Sequence, residues 1–538
     1  MTAITTTPWN RVTLRGQLGR RCRLSFQRLE DYTPAFTLIG NAGWPGDREG
    51  RAVLGQVVIG QAVHQVSTQT ELLLAGMPLG VLGPTPDPVV ADEQQIAGHG
   101  WLLRGLCEYY AWKPQTEVLE RIRRIVDELF LPLRGRFARY PIDAVQRGAH
   151  GGGPAGELVG EIINGWKLSS DIGCAFIGLD GLAHAYVVDP RPEVASLIEE
   201  AITRFVELNP VAVGNQTHAT LTCMRALLRW HGEHGRPELV EHVRQLFDIY
   251  VRTASTEHHH NWNWFGRPEW TEPCAVVDAF EVALGLWRAT GDTASLSTAQ
   301  EILFTGLARQ RHNGGYGCDV CTGALGQTAV AVLPNVYEGH WCCTMRGAEG
   351  WARAAEHSWC LRGNRVRIPW QSDSTITLQL PNAAWTIDQA SQYPEDGQSI
   401  FTVRAAPIAG EALELAVYVA PWVNRSSVTG VVAWDGDWAI IRLPAQVGAA
   451  ITFNAPITLR QQPAHGEMHS THVSFRHGPL LLGIHGQARG VTVLGQPLKR
   501  DGAHYRAADG SILAPVGEAT WLSEVEYRAD VRETLFAR

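Results

Sequence analysis

The sequence predicts a multidomain α plus β protein: an α/α toroid, a barrel of helical hairpins, followed by a C-terminal β-sandwich region. Three observations predict it. Residues 90–360 read as helix after helix. Within that stretch an aromatic at a helix end, then a short turn, then a new amphipathic helix recurs at Tyr110, Tyr186, Trp230 and Trp287. After residue 362 the texture changes to alternating apolar and polar runs separated by Gly- and Asp-rich turns.

Residues 1–90 form an irregular N-terminal segment, in which Gly/Pro-rich pieces at 40–50 and 80–88 surround a helical stretch near 55–74. The recurring turns then predict helices over 117–129, 194–208, 238–251 and 295–307. In the third of these Leu239, Val240, Val243, Leu246, Phe247 and Tyr250 fall on one face at i, i+3, i+4 spacing. The repeat is irregular and longer than a tetratricopeptide or HEAT unit. Helical hairpins with long loops suit a toroid, whose inner helices surround a funnel. Domain one is therefore 1–362. Domain two, 363–538, is all β: 365–369, 374–380, 399–403, 413–419, 438–443 and 472–475 alternate as strands do, in one or two small sandwiches.

The chain has 538 residues, 45% of them hydrophobic and 19% charged, a globular composition. Its net charge is −8, with 46 basic and 54 acidic residues, which argues against a nucleic-acid partner. No run approaches the ~18 apolar residues of a membrane span. The first residues lack the basic and apolar regions of a secretory leader, so a reduced, cytoplasmic protein is expected. The exposed sandwich surface allows a homodimer.

Ten cysteines are too dilute for a disulfide scaffold, so their placement matters more than their number. Glu272-Pro273-Cys274 opens one helical run and Cys342-Cys343 opens another. Helix N-termini favour a thiolate, because free N–H groups and the helix dipole meet the charge there. Neighbouring cysteines do not close a relaxed disulfide. One carboxylate and three thiolates are a sufficient set for Zn²⁺, and two buried thiols near a helix start are the plain alternative. Cys318 and Cys321 form a CxxC in a Gly-rich loop and offer a competing site. The remaining five, Cys22, Cys107, Cys174, Cys223 and Cys360, read as small buried hydrophobes. The His258-His259-His260 run reads as a loop at a pocket rim, since three adjacent histidines cannot all face one metal. Trp264 and Trp270 nearby suit stacking on a sugar face.

Glu272-x-Cys274 at a helix start with Cys342-Cys343 farther on resembles glycoside hydrolase family 127, whose members include β-L-arabinofuranosidases with a zinc-bound cysteine nucleophile. His99 after Gly98, His218 in Thr217-His218-Ala219-Thr220, and the turn Tyr393-Pro394-Glu395-Asp396-Gly397 extend the resemblance over about 95–485. It implies a zinc site of Glu272, Cys274, Cys342 and Cys343, with Cys342 as nucleophile. It implies an acid/base glutamate upstream, for which Glu257 is the nearest match, with Glu269 and Glu338 as alternatives. It implies His99 and His218 as sugar contacts, and a small glycoside as substrate. Two other readings compete. One is a different carbohydrate-active enzyme on the same toroid, a lyase or a hydrolase pairing Glu257 with Glu338 or Asp278. The other is a non-catalytic, zinc-stabilised carbohydrate-binding protein.

Overall fold

A computed structural model describes residues 4–31, 44–147, 158–317, 321–322, 329–331, 338–339, 342–380, 383–407, 412–464, 471–485, 495–521 and 531–537. Thirteen helices fall among them. They are α1 (Gly16–Asp31), α2 (Asp47–Val63), α3 (Thr68–Gly76), α4 (Glu93–Trp112), α5 (Thr116–Ile125), α6 (Ile177–Val188) and α7 (Pro192–Val206), then the single turn α8 (Pro210–Val213). There follow α9 (Thr217–His234), α10 (Pro237–Thr253), α11 (Cys274–Thr290), α12 (Thr293–Glu301) and α13 (Cys343–Glu356).

Six of them close a ring. Helices α2, α4, α6, α9, α11 and α13 each pack on the next, and α13 returns to α2. Outside lie α1 on α13 and α2, α3 on α2, α5 on α4, α7 on α6, α10 on α9 and α12 on α11. This is the α/α toroid that the helical hairpins predict. Outer helices bury a single stripe: in α10 the six apolar residues foreseen from spacing are the buried ones. Inner helices are buried nearly all round and approach very closely. A Cβ on Gly50 of α2 would lie 2.2 Å from the Leu102 nitrogen of α4, and one on Gly181 of α6 would lie 2.3 Å from the Gly100 oxygen. Only glycine fits at these crossings.

The inner faces meet in a buried charge network. Arg104 of α4 lies 3.0 Å from Asp180 of α6. Asp278 of α11 accepts from Arg225 of α9 at 2.5 Å and from Arg346 of α13 at 2.6 Å. Glu349 of α13 pairs with both Arg104 and Arg346. Charges so far from water persist only because each faces an opposite charge, and deleting one partner of such a pair typically costs ~3–5 kcal/mol.

The C-terminal half holds two sheets that share one apolar core, plus a third sheet. The first sheet runs 4–6, 360–362, 365–368, 413–418, 438–443, 433–435, and the second 450–454, 398–405, 383–391, 374–380, 12–14. Ile376, Leu378, Ile387, Phe401, Val403, Leu415, Val417 and Ile441 fill the core and are fully buried. The N-terminal stretch is more regular than its Gly/Pro content suggests. Ile4–Thr6 pairs with Cys360–Arg362, and Val12–Leu14 pairs with Ser374–Ile376, so the chain start edges both sandwich sheets. The third sheet gathers strands between 459 and 537 and also takes in Cys321–Thr322 and Ala329–Ala331, from before α13. Among the described residues no helix is long and apolar enough to cross a membrane.

Candidate metal centre

Cys274 is the first residue of α11 and Cys343 the first of α13, with Cys342 as its N-cap. Neighbouring inner helices thus bring their N-termini, and their cysteines, to one point. One ligand atom from each of Glu272, Cys274, Cys342 and Cys343 lies within 4.8 Å of the others. The Cys274 and Cys343 sulfurs are 3.8 Å apart and those of Cys342 and Cys343 are 3.3 Å apart. A tetrahedral Zn²⁺ with ~2.3 Å Zn–S bonds sets sulfurs ~3.8 Å apart. The donor set therefore fits a thiophilic divalent ion such as Zn²⁺. Glu272, Cys274 and Cys343 are buried, whereas Cys342 is partly exposed. The eight cysteines whose side chains are described are all free thiols.

Electrostatics point the same way. Burial, then the neighbouring Cys274, holds the Glu272 carboxyl well above its ordinary range. Burial likewise pushes the Cys274 thiol up. Glu272 and Cys274, crowded away from water, hold their protons more tightly than usual, so metal binding by them is coupled to proton release.

One cation already faces the cluster. Arg51 on α2 donates to Asp47, one turn earlier, with contacts of 2.9–3.1 Å. Its Nη1 reaches to 3.7 Å from Cys274 Sγ and 3.4 Å from His218 Nε2. Burial opposes its charge, but Asp47, Cys274 and Cys342 outweigh burial and hold the guanidinium protonated. Three thiolates and a carboxylate around a divalent ion would carry a net negative charge, which Arg51 would offset. Arg51→Met is expected to weaken zinc affinity about 10- to 100-fold, the usual range for losing an outer-shell partner. Arg51→Lys should recover part of that. Competition with a chromogenic chelator measures both.

His218 stands beside this arginine. Its Nδ1 lies 2.9 Å from Asp278 and its ring stacks on Trp101 at 5.2 Å. Burial holds its pKa down to about 4, against the pull of Asp278, so the ring is neutral. His99 is engaged differently. The Leu82 N–H donates to Nε2 at 2.9 Å, and Nδ1 donates to the Gln95 carbonyl at 2.7 Å. Both its nitrogens serve the main chain, and burial lowers its pKa to about 4. Trp264 is buried in the strand Trp262–Trp264, with the Arg267 guanidinium 5.5 Å over its ring. The side chains of Glu269, Trp270, Cys318 and Cys321 lie outside the described residues.

Glu257 is buried against the third sheet. Ser474 Oγ donates to its carboxylate at 2.6 Å, and Arg476 Nη2 donates to the same oxygen at 3.1 Å and to the Glu257 carbonyl at 3.0 Å. Its neighbours go separate ways: His258 meets Thr534 and His259 meets Glu301. Glu338 accepts from Arg28 at 2.6 and 3.0 Å and from Thr344 Oγ1 at 2.9 Å, tying the turn before Cys342 to α1.

Two residues that matter here escape sequence reading. Arg51 carries a faint signal, an Asp–Arg pair at i, i+4. Asp171 carries none. It is partly exposed, in the loop between the strand Trp166–Lys167 and α6. Burial, then Asp47, pushes its carboxyl up to about 7, with Arg51 and a hydrogen bond from Gln216 pulling the other way. Its charge is also felt at Glu272.

No family model and no curated protein matches the chain. Solved structures do match, over its whole length. A structure titled glycoside hydrolase superposes with a TM-score of 0.70 at 12% identity, covering 100% of this chain and 98% of that one. A GH127 β-arabinofuranosidase gives 0.71 at 11% identity, covering 99% and 98%. A GH127 β-L-arabinofuranosidase from Geobacillus stearothermophilus T6 gives 0.64 at 12% identity, covering 98% and 99%. The chain has the fold of these glycoside hydrolases from end to end.

Proposed function

We propose that this chain is a retaining glycoside hydrolase with a zinc-bound cysteine nucleophile, Cys342, acting on β-L-arabinofuranosides or a related plant-derived sugar. The observation that carries the reading is the convergence of Glu272, Cys274, Cys342 and Cys343 at adjoining helix starts of a GH127-like toroid. Zn²⁺ bound by these four would keep the sulfurs as thiolates at neutral pH.

The remaining chemistry belongs to the chain. Cys342 is the ligand with solvent access, and its sulfur attacks the anomeric carbon from the face opposite the leaving oxygen. A carbon–sulfur bond forms, the glycosidic carbon–oxygen bond breaks, and a carboxylic acid gives its proton to the leaving oxygen. Water then attacks the same carbon. The carboxylate takes the water proton, and the thiolate departs. Two inversions give net retention. His218, neutral and held by Asp278 and Arg51, is suited to hydrogen-bond a sugar hydroxyl.

For the proton carrier two carboxyls stand forward. Glu257 is the match to the family pattern. Asp171 is favoured by a specific observation: it is partly exposed, poised near neutral pH and electrostatically coupled to Glu272. A conventional hydrolase pairing Glu257 with Glu338 or Asp278 has less support, because each of these is held by arginine. The free thiols suit a reducing compartment such as the cytoplasm.

Metal analysis of the purified chain should return one zinc per chain. With zinc bound, it should hydrolyse 4-nitrophenyl β-L-arabinofuranoside, and proton NMR in the first minutes should show the β-anomer of the product. Full activity in a metal-free preparation would sink the mechanism. Zinc binding without turnover, but with sugar binding, would leave the non-catalytic alternative.

A further inference from the structure

Well away from the cysteine cluster, the toroid, the sandwich and the third sheet meet around a cleft of about 510 Å³. That volume lies in the ~300–1,000 Å³ range of small-molecule sites. From α13 it is lined by Trp351, roughly two turns beyond Cys343, or about 12 Å along the helix. No residue of the metal cluster lines it.

The cleft is built rather than incidental. Trp351 is 2% exposed and Ser372 is 5% exposed, yet neither the indole N–H nor the hydroxyl has a partner among the described residues. Gln371 beside them is buried and uses its carbonyl to accept from Ser399 at 2.6 Å. Buried donors without acceptors are uncommon in folded proteins, and a water or a ligand oxygen at the wall would satisfy them. Apolar surface comes from Phe304 and Tyr393, packed edge to face with centroids 5.3 Å apart. At the mouth, Gln392 and Glu395 are exposed.

This combination selects its ligand class. Asp373 is neutralised by Arg15, and Arg21, also in the wall, stands over the Trp351 ring and donates to a backbone carbonyl. The lining thus mixes cations and acids, with no surplus of one sign to draw an anion. Unpartnered N–H and O–H donors in the wall, an aromatic corner and a polar mouth match a neutral polyol with C–H faces, which is a saccharide. We propose that this cleft is a second saccharide site, holding a neutral di- or trisaccharide stretch of a glycan apart from the metal centre.

Calorimetric titration of the full chain with arabinotriose, xylotriose and cellotriose tests it. At least one is expected to bind with a millimolar or better Kd. Ser372→Ala, and separately the exposed pair Gln392→Ala with Glu395→Ala, should weaken that binding at least fivefold with the melting temperature kept. Asp171→Asn, on the cysteine-cluster side, should leave it within twofold. The proposal is overturned if none of the three sugars binds, or if both cleft variants bind like the parent. It is also overturned if Asp171→Asn is the change that abolishes binding. The outcome is independent of turnover, so failure of the hydrolase reading and failure of this one are separable.

Discussion

Cys342→Ser is expected to lower kcat/KM for an aryl β-L-arabinofuranoside by a factor on the order of 10³ to 10⁶, the range seen when an enzyme loses its nucleophile. The change is small in volume and falls on the one partly exposed ligand, so the fold is expected to stand. A serine hydroxyl is far less nucleophilic than a thiolate and a harder ligand for zinc. The informative comparison is with the two buried sulfurs. Cys274→Ser and Cys343→Ser alter the first residues of α11 and α13, where the inner ring depends on their packing. Those two should lose bound zinc and several degrees of melting temperature, because metal binding is linked to folding. Cys342→Ser should lose turnover out of proportion to either. If all three variants lose zinc, stability and activity in parallel, Cys342 is a ligand only and the nucleophile lies elsewhere.

The cysteine cluster was the most legible part of the site, for a local reason. A Glu-x-Cys and a Cys-Cys each open a helix, and helix starts can be read from the onset of apolar periodicity. What lay beyond local reading was the ring that brings α11 and α13 side by side. The outer helices were legible too, since α10 buries only the stripe its spacing shows. Inner helices such as α4 are less so, because their buried residues include His99 and Arg104 beside Trp101 and Leu102, which blurs any stripe.

Long-range pairing stayed out of reach. Nothing near Ile4 announces Cys360–Arg362 as its partner, and nothing near Glu257 announces Ser474 and Arg476. The same limit hid Asp171. Its altered acidity arises from Asp47 and Arg51, far off in sequence and joined to it only by the toroid.

That contrast between two carboxyls yields the second large effect. Asp171→Asn is expected to lower kcat/KM by about 10²- to 10⁴-fold, the usual contribution of a positioned acid/base. With a good leaving group, the second step should be rescued by azide. The pH profile should change as well. Asp171 is pushed up to about 7 because burial and Asp47 oppose its charge, while Arg51 and Gln216 favour it and Glu93 adds a smaller opposition. A proton donor of that kind works while protonated, so activity should fall as pH rises through about 7, and Asp171→Asn should erase that limb. Stability follows the same sign. The folded chain keeps a proton that the unfolded chain releases near ~3.9, so this group's contribution is full below ~4 and is lost as pH climbs through about 7. Glu257→Gln should behave otherwise. It takes from Arg476, which is 1% exposed, the carboxylate bonded to it, and leaves Glu301 as the acid that its buried charge still faces. The expected cost is about 3–5 kcal/mol of stability. The protein that remains folded should keep its kcat and its pH limb. The opposite pattern, with Glu257→Gln silencing a fully stable protein and Asp171→Asn turning over normally, would return the acid/base role to Glu257.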